Sequence, residues 1–307
     1  MALDVSALSN FNNEVAGELL VKAVYGGSTM EYITVKEGVK YQEPINLMEV
    51  DLYIQNGTCV STPSGSLTYT QRNITVCPRT SFDGICLKDM DKKYLGIAAL
   101  EPGSYNETFA MANAYSGLLV NQFQKANDQF LWQQVSGSAS SFGGTCESDG
   151  LKTIISGSTA GVVTAGNGDY TLANLETMLA ALSSDVADRE DLTYFMSVSG
   201  FRQLISNIRT QNNFWFDPVS VSNRGGILEV GMPFQNAKIV GTVGLQGSGR
   251  IVLGPAKQIV AGTDLMSDFS EFQLWYDINT DQLKHRISTK LGVNVAFPEF
   301  WVSNDVA

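Results

Sequence analysis

The 307-residue sequence predicts an α+β fold, and three stretches carry that prediction. From Leu283 to Phe297 apolar and polar residues alternate almost without a break, the period of a strand with one buried face. From Tyr105 to Val135 apolar residues recur at three- and four-residue steps, the period of a helix. Between residues 48 and 76 two alternating runs flank a turn-rich segment, the pattern of a long hairpin. The final strand would span roughly 50 Å and the helix roughly 45 Å, both longer than a compact domain usually needs.

Residues 1–30 hold many small and polar side chains and no sustained period, so they read as an arm. In the hairpin, Met48, Val50, Leu52 and Ile54 alternate with Glu49, Asp51, Tyr53 and Gln55. The segment 57–66, with Pro63 and Gly65, is turn chemistry. The return run places Leu67 and Tyr69 on one face, then changes phase to Ile74 and Val76, which implies a bulge or sharp twist. Such a hairpin is marginal alone in water and needs a surface to lie on.

The helix opens on a capping box: Ser104 can satisfy the Glu107 amide while the glutamate reaches back. Phe109, Ala112, Ser116, Leu119, Phe123, Ala126 and Phe130 form its apolar stripe, and only Glu107, Lys125 and Asp128 are charged. Much of its circumference must therefore meet protein. Residues 136–150 are rich in Gly and Ser and read as a linker. Beyond it the pattern is mixed. A helix capped by Thr171 buries Leu172, Leu175, Leu179 and Leu182, and LTYFMSV forms a strand. A second helix buries Phe201, Leu204, Ile205 and Ile208. Short strands ILEV, AKIVGTV, RIVLG, QIVAG and FQLWYDI follow, the last turning through Asn279 to Asp281 into the final strand.

Composition narrows the function. Hydrophobic residues at 44% with 17% charged are globular. A net charge of −11 argues against a general nucleic-acid binder, which needs clustered Lys and Arg. Eight acids against Lys152 and Arg189 between Glu147 and Asp191 read as a solubilising face. No basic-then-apolar leader opens the chain and no apolar run reaches a membrane span, so Asn56, Asn73 and Asn106 match the glycosylation pattern by chance. Cys59, Cys77, Cys86 and Cys146 lack metal-ligand spacing and read as reduced thiols.

Catalytic chemistry finds few candidates. The one histidine, His285, lies on the Leu283/Ile287 face of the last strand and reads as structural. A thiol hydrolase would have to pair it with Cys86 or Cys146, and no nucleophile motif supports that. GNGD at 166 and GSGR at 247 are turns without a phosphate-loop Lys-Ser/Thr. The Asp188/Glu190 pair sits in a polar loop. No catalytic, cofactor-binding or metal-binding residue is assigned, and the expectation is a structural protein rather than an enzyme.

The hairpin, the long helix after it and the ending HRISTKLGVNVAFPEFWV, in that order, resemble the major capsid proteins of tailed double-stranded-DNA bacteriophages. Members often close on a phrase of Lys, Gly-Val, aliphatic, apolar and aromatic-Pro, filled here by Lys290, Gly292, Val293, Val295, Phe297 and Pro298. The resemblance implies the tailed-phage major capsid fold, with an N-terminal arm at 1–30 and an extended E-loop hairpin at 31–78. It also implies a peripheral domain with a spine helix at 79–150 and 270–307, and a mixed α/β axial domain at 151–269. A flat wall tile hides long surfaces against neighbours, which accounts for a strand and helix of this length.

The same resemblance implies self-assembly into hexamers and pentamers of an icosahedral shell around packaged viral double-stranded DNA. The expected partners are further copies of the chain, a portal, a separate scaffolding protein and a decoration protein, with weak non-specific contacts to DNA and none to membrane. Its expected place is the virion, after assembly in the host cytoplasm. The alternative of the same fold is an encapsulin-like shell of a cellular compartment. Some relatives weld their shells through an E-loop lysine, but no lysine lies between Lys40 and Lys88 here, so no such bond is expected.

Overall fold

The structure, a computed structural model, describes residues 29–54, 57, 65–86, 119, 122–137, 139–140, 144–145, 148–156, 162–164, 166, 168–211, 222–224, 227–231, 237–264, 273–277, 279–280 and 282–304. In chain order the first strands are β1 (Thr34–Lys36), β2 (Gln42–Leu52), β3 (Gly65–Thr75) and β4 (Cys77–Cys86). Helix α1 (122–133) follows, then the short pair β5 (Ala139–Ser140) and β6 (Gly144–Thr145) and helix α2 (Leu151–Ile155). Next come β7 (Val162–Thr164), α3 (Leu172–Ala180), β8 (Leu192–Ser197) and α4 (Val198–Gln211). The chain closes with β9 (Ser222–Arg224), β10 (Ile227–Gly231), β11 (Ala237–Thr242), β12 (Val252–Pro255), β13 (Ile259–Thr263), β14 (Gln273–Asp277), β15 (Gln282–Val295) and β16 (Val302–Asn304).

Strand β15 is the axis of a five-stranded sheet. Its first five residues pair with β14 on one side, Gln282 to Leu291 pair with β4 on the other, and Leu291 to Val295 pair with β13, which in turn carries β1. Leu283, His285, Ile287, Thr289, Leu291, Val293 and Val295 are all buried, matching the face read from the alternation. Strand β4 is not legible in the sequence: CPRTSFDGIC holds Pro78 and Gly84, and the positions paired with the buried Thr289, Ile287 and His285 are Arg79, Ser81 and Asp83. A polar strand at a sheet edge carries no apolar period to read.

Helix α1 covers this sheet. The described part of the predicted helix ends at residue 133, and its start with the Ser104 cap lies outside the described residues. Phe123 and Phe130 are buried as expected, but so are Asn127, Asp128, Leu131 and Trp132. The helix is enclosed on several sides, consistent with its few charges. One core packs Phe130, Leu131 and Trp132 against Leu291, Val293 and Val295, with Leu151, Ile155 and Trp301.

A seven-stranded sheet, in the order β7-β16-β12-β8-β11-β10-β9, forms the second body. Helices α3 and α4 bury Leu175, Met178, Phe201 and Leu204 against it, and the Thr171 side chain caps α3 by accepting from the Asn174 amide. The two sheets exchange short strands across the expected 269/270 division. Strand β13 pairs with β15, whereas β16, near the C-terminal end, pairs with β12 and β7. Within the Gly/Ser stretch at 136–150, β5 pairs with β6, and the Gly150 amide donates to the Gln134 carbonyl at 2.8 Å.

Candidate assembly interface

The hairpin β2–β3 pairs over its full length, from Gln42↔Thr75 to Leu52↔Gly65. Residues directly opposite share a face, so Met48 with Tyr69 and Val50 with Leu67 form one apolar stripe continued by Leu52. Glu49 with Thr68 and Asp51 with Ser66 make the other face polar. Met48, Val50, Leu52, Leu67 and Tyr69 are each between 53% and 78% exposed. Five large apolar side chains aligned on one surface and uncovered is the mark of an interaction site. The tip residues, including Cys59, lie outside the described residues.

The root of the hairpin is the opposite. Val39, Ile74 and Val76 are at most 1% exposed and pack with Ile45 and Val260. The phase change read between Tyr69 and Ile74 is not a bulge: β3 stays paired one-to-one with β2 through Thr75, and Ile74 turns to the buried root the face opposite to that of Leu67 and Tyr69. At Val76 the chain leaves the hairpin and joins the sheet of β15. The Val76 amide donates to the Tyr41 carbonyl at 2.7 Å, and the Asn294 side-chain amide donates to the Asn73 carbonyl at 2.7 Å.

Polar side chains tie the body beneath. The buried Asp128 carboxylate of α1 accepts from the Thr29 amide at 3.2 Å, the Thr242 hydroxyl at 3.1 Å and the Gly244 amide at 2.8 Å. It thereby joins the first described residue, the spine of the five-stranded sheet and the end of β11. The Trp132 indole donates to the Thr29 hydroxyl at 2.8 Å. Sequence reading gave Asp128 no role, although a lone acid among Phe123, Phe130, Leu131 and Trp132 was the available signal. Arg79 of β4 bonds the Asn127 side chain and lies 4.5 Å from the Phe130 ring centroid; burial draws its pKa down to about 10.

His285 is 2% exposed and lies 3.5 Å from the Ser81 hydroxyl. Burial lowers its pKa, and the Asp83 carboxylate partly offsets this. Cys86 is opposite Gln282 whereas His285 is opposite Asp83, so their side chains project from opposite faces of the sheet. They cannot form a thiol–imidazole couple, and Cys146 lies outside the described residues. Cys86 is a free thiol, but Cys77 is disulfide-bonded. This corrects the expectation of reduced thiols: sequence spacing carries no record of which cysteines the fold brings together. Among the described residues no group of three or more His, Cys, Asp or Glu could hold a metal ion, and no helix is long and apolar enough to cross a membrane.

On the outer face of the five-stranded sheet, Phe82 is 60% exposed and packs at 6.0 Å against Trp275, with Arg286 paired opposite Phe82. At the neighbouring turn, Lys284 bonds Asp277 at 2.5 Å and the Thr280 hydroxyl donates to it at 2.9 Å, holding the Asp277 carboxyl down to about 2.

No family model and no curated protein matches the chain. Its fold is nevertheless shared with solved capsids. The capsid of a native GTA particle aligns over 92% of this chain and 90% of its own, at 10% identity and a TM-score of 0.57. The satellite phage P4 procapsid aligns over 94% and 89%, at 11% identity and a TM-score of 0.57. A virus-like particle from Pyrococcus furiosus aligns over 95% and 98%, at 11% identity and a TM-score of 0.50. At such identities the likeness is one of fold. The chain has the tailed-phage major capsid fold that its hairpin, helix and closing strand suggested.

Proposed function

We propose that this chain is a structural shell subunit, a major capsid protein that assembles into hexamers and pentamers of an icosahedral shell around packaged viral double-stranded DNA. The observation that carries the reading is the exposed apolar stripe Met48–Val50–Leu52–Leu67–Tyr69 on a hairpin extending from a capsid fold. Fully burying five such side chains contributes on the order of 5–10 kcal/mol per hairpin, and a second copy of the chain is the partner present at the needed concentration. The exposed Phe82–Trp275–Arg286 group adds a second patch of the residue types that dominate binding energy.

In this reading residues 1–30 are the arm and 31–78 the E-loop, 79–150 with 270–307 the peripheral domain and 151–269 the axial domain. Assembly takes place in the host cytoplasm with a portal and a separate scaffolding protein, and a decoration protein binds the finished virion. The net charge of −11 suits weak, sequence-independent contact with DNA that must slide during filling. Tight binding of free subunits to DNA at physiological salt would contradict this. Negative-stain electron microscopy of the purified chain tests the class: closed shells or six-membered rings support it, and a small monodisperse particle overturns it. The fold likeness to a virus-like particle also suits an encapsulin-like cellular compartment shell. Nuclease-protected double-stranded DNA in particles purified from the native source separates the two.

A further inference from the structure

Strands β13 and β15 place Gly262 directly opposite Gly292. Neither residue has a positive φ, so neither position needs glycine for its backbone conformation. What both positions need is clearance. A Cβ on Gly262 would meet the Ile74 Cγ2 at 2.8 Å and the Val76 Cγ2 at 3.0 Å. A Cβ on Gly292 would overlap the Thr75 carbonyl oxygen and lie 3.0 Å from the Val76 Cα. The paired glycines open a notch in the sheet face, with Val260 and Asn294 on one side and the Lys290–Asp264 ion pair on the other. The chain crosses that notch at residues 74–76, where it passes from the hairpin into β4. Hydrogen bonds from Asn294 to Asn73, from Val76 to Tyr41 and from Val39 to Thr263 hold it down.

We propose that Gly262 and Gly292 form the seat that sets the direction in which the hairpin leaves the body, and through it whether copies of the chain register with one another. The second half of this rests on the shell reading above. The two glycines differ in kind. Gly262 is pressed by methyl groups, which another side chain can remove, whereas Gly292 is pressed by backbone, which nothing can trim. An alanine at 292 must lift the crossing by on the order of 1 Å. With the next anchor two residues away, about 7 Å along the strand, this tilts the hairpin by about 8°. Over the length of β3, about 34 Å, the far end moves by about 5 Å, the distance between neighbouring strands.

The test uses the full chain with spin labels on unnatural keto residues at the exposed positions 68 and 257, read by pulsed electron resonance beside circular dichroism and electron microscopy. Gly292→Ala should stay folded, shift the label distance by several ångströms and lose particles. Gly262→Ala should give a smaller shift, and adding Ile74→Leu, which removes the Cγ2 methyl, should return both distance and particles to those of Ile74→Leu alone. An unchanged distance in folded Gly292→Ala overturns the seat. A shifted distance with particles of normal size and yield overturns its control of assembly. Should Gly292→Ala not fold, the Gly262→Ala pair decides by the same two readouts. A wild-type chain that forms no particles counts against the shell reading, and the distances alone then judge the seat.

Discussion

Strand β15 and the hairpin β2–β3 both alternate apolar with polar residues. Leu283, Ile287, Leu291, Val293 and Val295 of β15 are at most 3% exposed, whereas the hairpin's Met48, Val50, Leu52, Leu67 and Tyr69 are at least 53% exposed. Period-two patterning reports that a strand has a face to cover, but it does not report what covers it. For β15 the cover lies within the same chain, in α1, α2 and Trp301. For the distal hairpin no cover lies among the described residues, and in the proposed reading another subunit supplies it. The boundary between the two regimes falls at Ile74–Val76, where burial changes from complete to absent within a few residues.

This contrast is sharpest when the same kind of charge is placed in each region. Phe123→Asp would put an unpaired carboxylate in a site that is 7% exposed. The expected loss is about 3–5 kcal/mol, seen as insoluble protein or a large drop in the urea midpoint. Normal expression and normal particles would show that α1 turns a different face to the sheet. Asp128→Asn should cost less, about 1–3 kcal/mol, since an amide group then faces donors from Thr29, Thr242 and Gly244. A melt equal to wild type would mean that the carboxylate does not bind the two bodies together.

Val50→Asp lies in the other regime. Unfolding of the dissociated subunit should shift by about 0.5 kcal/mol or less, while particle formation fails. A variant that is unstable as a monomer, or that still assembles, would break the comparison between hairpin and sheet.

The pH response of His285 is smaller again. Its native pKa is lowered by burial, so the unfolded chain takes up the proton first as pH falls. Its contribution to stability is therefore complete above about pH 6.5 and is lost as pH falls from there toward the native value. His285→Gln should flatten that slope, and an unchanged slope would assign the pH dependence elsewhere. The smallest effect expected concerns covalent locking. With no lysine between Lys40 and Lys88, particles boiled in detergent with reductant should run as single subunits near 33.3 kDa. A ladder that survives reductant would require another crosslink, and one seen only without reductant and abolished by Cys59→Ser would locate it at the hairpin tip.

Long, strongly periodic elements were legible because a single side-chain period runs through each of them. The 14 residues of β15, the fully buried β8 and the Thr171-capped helix each repeat one pattern from end to end. The phase change between Tyr69 and Ile74 was visible too, but the bulge it implied is absent: one unbroken strand shows an exposed apolar face near its tip and buries the opposite face at its root. Short or polar pieces were not legible. Strands β1, β7 and β16 have three residues each, too few to show a period, and the face that β4 shares with the buried side of β15 carries Arg79, Ser81 and Asp83.

The order of residues thus carries the elements, their apolar faces and the absence of a recognisable catalytic motif, because these depend on neighbours within a turn or a strand. Distant segments had to meet before other properties existed. Asp128 becomes a joint only when Thr29 and Gly244 arrive from 99 and 116 residues away. Gly292 becomes a seat only when Thr75 crosses it. The hairpin's stripe is a candidate interface only because the described part of the fold leaves it exposed. Contacts of this kind are made by surfaces closing in space, and local sequence pattern holds no term for them.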